Sequence, residues 1–179
     1  VSAGRGGQMG ADALSSEETR ATLDTILRRT RECHDAGKPL EVLTVDNHAD
    51  GAYLYLKLLQ EDPAKAADVY KLLQMNGGNG SGISIGCVSW NGDVHPDQFW
   101  RTKTVGNVRT NPFSEIWTSP DTPLLPDLRR RKELLDCRCQ RCRFLDICNG
   151  NLRARSDYCG NGTWGDDPGC YLTDEEITE

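Results

Sequence analysis

Over residues 14–76, apolar positions recur with a helical period. Leu23, Ile26, Leu27 and Cys33 fall near one helical face. Ser15 and Glu18 open that helix as a capping box, and Gly37 closes it as a C′ residue. Cys33 lies on the apolar stripe and reads as a small core side chain, not a ligand. The pattern then changes. Leu40-Glu41-Val42-Leu43-Thr44-Val45, bounded by Pro39 and Asp46, predicts a buried parallel strand. A helix over 52–60 follows. The next takes Asp62 as N-cap and Pro63 at its first position, with Ala66, Val69, Leu72 and Leu73 on its apolar face. The Gly-rich string 77–82 ends this half. No Lys-Ser/Thr follows it and no helix opens after it, so it reads as a hinge or linker and not as a phosphate loop.

Residues 83–179 differ in character. Residues 83–90 read as a strand, Asn91-Gly92 as a type I′ turn and Asp93-Val94-His95 as the returning strand. A short helix is expected over 112–117 with Asn111 as N-cap. Another is expected over 124–135, with Pro126 confined to its first turn. From 136 to 170 periodicity fades, as in a loop wrapped around a metal centre. No internal repeat is evident. These elements predict an α+β chain in three parts: residues 1–76, a linker over 77–82, and 83–179.

Charge and composition narrow the function. A net charge of −6 and a pI near 5.1 argue against a general nucleic-acid binder. No apolar run approaches the roughly 18–20 residues of a membrane span. Residues 1–15 show no apolar signal-peptide region, and a cytoplasmic protein is expected. Of eight cysteines, six lie between 137 and 170. Clustered thiols without secretory features point to metal rather than to disulfides.

The spacing sharpens this. Cys139, Cys142 and Cys148 form C-x2-C-x5-C, and Cys170 follows after 21 residues. Two thiolates on one tight turn plus two more make a four-sulfur site suited to zinc or to an iron–sulfur cluster. Cys137 and Cys159 are rival ligands, whereas Cys87 reads as a buried strand thiol. The polar string Asp46-Asn47-His48-Ala49-Asp50-Gly51 sits just past a predicted strand, where α/β folds collect ligand-binding groups. His48 is its candidate contact. Alternatively, Asp46 or Asn47 only caps the next helix.

The C-x2-C-x5-C run with a distant fourth cysteine resembles the SPASM/twitch auxiliary-cluster domain of radical SAM enzymes. Longer phrases resemble the tetrapyrrole-modifying branch: Val94-His95-Pro96-Asp97-Gln98-Phe99-Trp100, Gly106-Asn107-Val108, Pro112-Phe113-Ser114-Glu115-Ile116-Trp117, Cys170-Tyr171-Leu172-Thr173-Asp174-Glu175-Glu176-Ile177 and the stretch from Glu41 to Gly51. The resemblance implies the C-terminal remnant of a partial (β/α) barrel, then a β-hairpin and a loop-rich iron–sulfur domain. It implies an oxidoreductase in haem or haem d1 biosynthesis whose cluster accepts or relays an electron from a substrate radical. Two-cluster members carry a cysteine five residues after the hairpin glycine and another four after the third cysteine. Here those positions are Asp97 and Leu152. One [4Fe–4S] cluster is therefore expected, on Cys139, Cys142, Cys148 and Cys170. The C-x3-C-x2-C signature is absent, so S-adenosylmethionine and a second [4Fe–4S] cluster would come only with a missing core, in a longer chain of which this is a fragment or on a separate chain, and the chain alone is expected to be inactive. An iron-bearing tetrapyrrole is the implied partner, with His48, His95, Asp97, Arg153 and Arg155 as candidate contacts; the electron partner is undefined, and neither nucleic acid nor membrane is expected. A structural zinc module and the tail of a peptide-modifying radical SAM enzyme remain the alternatives.

Overall fold

A computed structural model describes residues 4–136 and 138–178. After a 3₁₀ stretch over Gly4–Asp12, helix α1 spans Ser16–Asp35. Its capping box forms as expected: the Ser15 hydroxyl accepts from the Glu18 N–H, and the Glu18 carboxylate accepts from the Ser15 N–H at 2.8 Å. Helices α2 (Ala49–Glu61) and α3 (Pro63–Asn76) form a hairpin joined by Asp62, whose side chain caps α3. Gly77, at φ 75°, ends α3 in the left-handed conformation.

Three short strands form an antiparallel sheet of order β1-β2-β3: Cys87–Val88, Asp93–His95 and Gly106–Asn107. Then come α4 (Phe113–Thr118), α5 (Leu125–Arg129), α6 (Arg131–Leu134), a 3₁₀ turn over Arg138–Arg141, α7 (Leu145–Cys148), α8 (Arg153–Tyr158) and α9 (Asp174–Thr178). Two apolar clusters hold these together. One joins Leu23 of α1 and Ala49, Ala52 and Tyr53 of α2 to Phe144, Ile147 and Tyr171. The other packs Val94, Trp100, Ile116, Leu125, Leu128 and Leu152 around the sheet.

Four sequence expectations are corrected. Residues 40–45 are not a buried strand. They run without regular structure and exposed, Leu43 at 79%. A strand needs a neighbour's N–H and C=O groups, and none of the described residues supplies them. Within 83–90 only Cys87–Val88 is strand. The hairpin is not a two-residue type I′ turn: Gly92 N–H donates to Ser89 O at 2.9 Å, Ser89 N–H to Asp93 O at 2.8 Å, and only Gly92 of the Asn91-Gly92 pair has positive φ (90°). The helix expected over 124–135 is broken into α5 and α6 at Arg130 (φ −108°, ψ 22°).

Segment 77–82, read from sequence as a linker, is fastened on both sides. Asn79 and Ser81 are buried, and Asn79 N–H donates to Cys148 O at 3.1 Å. The buried Arg131 donates to Asn79 Oδ1 at 2.8 Å and to the Ser81 carbonyl. Gly82 N–H reaches Pro96 O at 2.8 Å. Cys148 and Arg131 lie 50 or more positions away in sequence and Pro96 lies 14 away, so no local signal announced these bonds.

Candidate metal centre

Three short turns carry the predicted ligands. Cys139 lies in the 3₁₀ turn Arg138–Arg141, and Cys142 N–H closes on Cys139 O at 3.1 Å. Cys148 ends α7, after which Asn149, Gly150 and Asn151 take positive φ in succession (55°, 77° and 56°), so the chain curls back over the Cys148 carbonyl. Cys170 sits on a turn whose N–H donates to Asp167 O at 2.9 Å.

A buried carboxylate ties two of these turns together. Asp167 Oδ2 accepts from Leu152 N–H at 2.9 Å, while Oδ1 accepts from Gly169 N–H at 2.8 Å. Arg155 grips both oxygens, Nε to Oδ1 at 2.6 Å and Nη2 to Oδ2 at 2.9 Å. Sequence reasoning missed Asp167 because a single aspartate in a loop carries no spacing signal.

The thiols lie within one another's electrostatic field. Burial, then the Cys170 and Cys142 sulfurs, push the Cys148 thiol up to about 12; the Asn151 N–H and Arg153 pull the other way. Burial likewise raises Cys170, opposed by the Leu172 N–H and Arg138. Cys142 and Cys170 also pack on the apolar cluster containing Phe144, Ile147 and Tyr171. None of the described cysteines forms a disulfide. Among the described residues, no three His, Cys, Asp or Glu side chains converge closely enough for a single metal ion. Four thiolates on zinc, at ~2.3 Å each, would need sulfurs roughly 3.8 Å apart, whereas a cluster spreads its ligands wider. Cys142, Cys148 and Cys170 within electrostatic reach, with Cys139 on the adjoining turn, fit the soft four-thiolate donor set of a cluster. Cys159 is exposed at the end of α8, and Cys137 lies outside the described residues.

Comparison with known proteins agrees with this chemistry. Residues 84–143 match SPASM, described as an iron-sulfur cluster-binding domain. The Fe-coproporphyrin III synthase of Methanosarcina barkeri is 57% identical over 99% of this chain, and the pre-heme d1 synthase of Dinoroseobacter shibae is 40% identical over 98%. The chain is thus similar over nearly its whole length to part of each of these two enzymes, and it carries the SPASM match. It spans 45% and 44% of the length of those two relatives. No solved structure matches significantly. No helix of the described residues is long and apolar enough to cross a membrane.

The SPASM match ends at 143, so it includes Cys139 and Cys142 and stops short of Cys148 and Cys170. The five candidate substrate contacts have contrasting surroundings. His95 is buried with both ring nitrogens engaged, Nδ1 with Lys103 O at 2.9 Å and Nε2 with Ser89 Oγ at 2.8 Å. Asp97 is also buried; it accepts from the Ser81 hydroxyl and from Phe99 N–H. Arg155 is committed to Asp167, and Arg153 is fully buried. His48 differs. Its backbone N–H donates to Asn151 Oδ1 at 2.8 Å, but no hydrogen bond from the described residues reaches its ring. Burial lowers its pKa against the pull of Asp46 and Asp50, leaving the imidazole neutral at pH 7.

Asn151 also donates to Asn47 Oδ1 at 2.8 Å, and Asn47 donates to Gly169 O at 3.1 Å. The His48 loop is thus fixed directly to the turns bearing Cys148 and Cys170.

Proposed function

We propose that the chain holds one [4Fe–4S] cluster on Cys139, Cys142, Cys148 and Cys170, within a radical SAM oxidoreductase that modifies an iron-bearing tetrapyrrole in haem or haem d1 biosynthesis. The observation that carries this reading is the shared field of Cys142, Cys148 and Cys170, with Cys139 on the adjoining turn. When bound, such a cluster supplies one-electron chemistry, here accepting or relaying the electron of a substrate radical. The names of the two relatives support the tetrapyrrole assignment. No residue set in the chain matches the S-adenosylmethionine cluster motif, so that chemistry belongs to a separate core. The exposed apolar side chains Leu40, Val42, Leu43 and Val45 support reading 40–45 as a barrel strand whose partners lie in that core.

Anaerobic reconstitution of the chain should give about four irons and four sulfides, with a broad thiolate-to-iron absorption band. Zinc loading with no sulfide would favour the structural zinc module, and about eight irons would require a second cluster.

His48 is the side chain of this reading that meets substrate iron. Its unengaged, neutral imidazole stands at the loop fastened to the Cys148 and Cys170 turns. In the protein with its core, His48→Ala should change the spectrum of a bound iron tetrapyrrole. An unchanged spectrum and affinity would remove His48 from the site.

A further inference from the structure

The interior beside Cys148 contains more positive than negative charge. Arg153 is 0% exposed, yet no carboxylate among the described residues pairs with it. Its Nη1 donates to Gly165 O at 2.6 Å and Thr163 O at 3.3 Å, while Nε and Nη2 have no hydrogen-bond partner. A second buried guanidinium, Arg131, lies close enough that the two repel; its donors go to the Leu128 carbonyl and the 79–81 segment. Asp97 is the buried carboxylate that acts on Arg131, and Asp167 is committed to Arg155. Arg131 thus has a buried carboxylate acting on it, whereas no ion pair or hydrogen bond gives Arg153 one, leaving an excess cation.

Burying an unpaired cation costs several kcal/mol, so such a group implies an anion. The position indicates which one. Arg153 Nε lies 3.5 Å from where a Cβ on Gly150 would stand, against the turn that follows Cys148. Arg153 also acts directly on the Cys148 thiol. A four-thiolate iron–sulfur cluster has net negative charge, and reduction adds one more electron.

We propose that Arg153 is a built-in counter-charge to the cluster on Cys148 and its neighbours, and that it raises the cluster's reduction potential. This rests on the cluster reading above. A cation facing the cluster through the 149–151 turn favours the reduced, more negative state, while the orphaned Nε and Nη2 donors remain free to face it. Arg153 is a positioning residue for charge and makes no bond to iron.

The test is a one-electron potentiometric titration of the reconstituted chain, with dithionite as the donor, in Arg153→Lys and Arg153→Gln. Lysine keeps the charge and loses the fork; glutamine loses the charge. Arg153→Lys should hold the wild-type potential. Arg153→Gln should lower the reduced-to-oxidised ratio at a fixed potential about tenfold, which is about 59 mV for one electron. If Arg153→Gln fails to load while Arg153→Lys loads fully, the same conclusion follows. An unchanged potential in Arg153→Gln, an equal fall in both variants, or loss of cluster from both would overturn the proposal. Absence of iron and sulfide from the unsubstituted chain is a separate failure: it defeats the cluster reading, and the Arg153 role with it.

Discussion

Alanine in place of Cys148 should strip the reconstituted chain of its iron, from about four atoms to less than one. The reason is geometric as well as chemical. Cys148 ends α7, its carbonyl accepts from Asn79 N–H and Asn151 N–H, and its sulfur lies in the field of Cys142 and Cys170. No other described cysteine can replace it: Cys159 is exposed on α8, and Cys87 is on β1. Cys148→Ser keeps the volume and should lose iron equally, which separates ligation from packing. Cys159→Ala should retain full iron. Amide protection from 138 to 172 should fall with the iron, because metal binding and folding are coupled in such loops. Full iron in Cys148→Ser would remove Cys148 from the ligand set.

Local rules were the legible part of this sequence. The Ser15–Glu18 capping box, the Gly37 close of α1 (φ 70°) and the Asp62-Pro63 start of α3 each depend on neighbours within four positions, and each appears where the residues placed it. The cysteine spacing was legible for the same reason: C-x2-C needs one tight turn, and a 3₁₀ turn supplies it. What the sequence hid depends on distant partners. Residues 40–45 have strand chemistry but find no pairing strand among the described residues, and a local pattern cannot say where such a partner lies. Arg131 carries no sequence signal of its own within the helix expected over 124–135. In the fold it is buried and holds the 79–81 segment from 50 or more positions away.

The candidate ligands were legible as a spacing, whereas the supports of their turns were hidden. Asp167, Asn151 and Asn79 make no metal bond. Each joins separate segments: Asp167 joins Leu152 to Gly169, Asn151 joins its own turn to Asn47 and His48, and Asn79 receives Arg131 and Asn149. A loop with little apolar content of its own is held by polar bonds to buried partners, and those bonds set where the sulfurs stand.

Gly78→Ala should damage the chain more than its size suggests. Gly78 has φ 71°, and a Cβ there would run into the Cys148 carbonyl and stand 2.8 Å from Asn149 N. All of these are backbone atoms of the Cys148 turn, so no side chain can swing aside. Gly77 is the internal control: it has φ 75°, but a Cβ on it meets nothing within 4 Å. Gly77→Ala therefore bears only left-handed strain, roughly 1–2 kcal/mol. Gly78→Ala bears that strain plus an overpacking cost of roughly 1–3 kcal/mol. The gap, about 2 kcal/mol, corresponds to roughly 4–8 °C in Tm for a chain of this size. Gly78→Ala should also load less iron, because shifting the Cys148 carbonyl breaks the bonds Asn79 N–H→Cys148 O and Asn149 Nδ2→Asn79 O (2.7 Å) that hold the ligand turn. If the two variants melt together and bind equal iron, segment 77–82 is the free hinge that its glycine content first suggested, and its packing against the cluster turn is wrong.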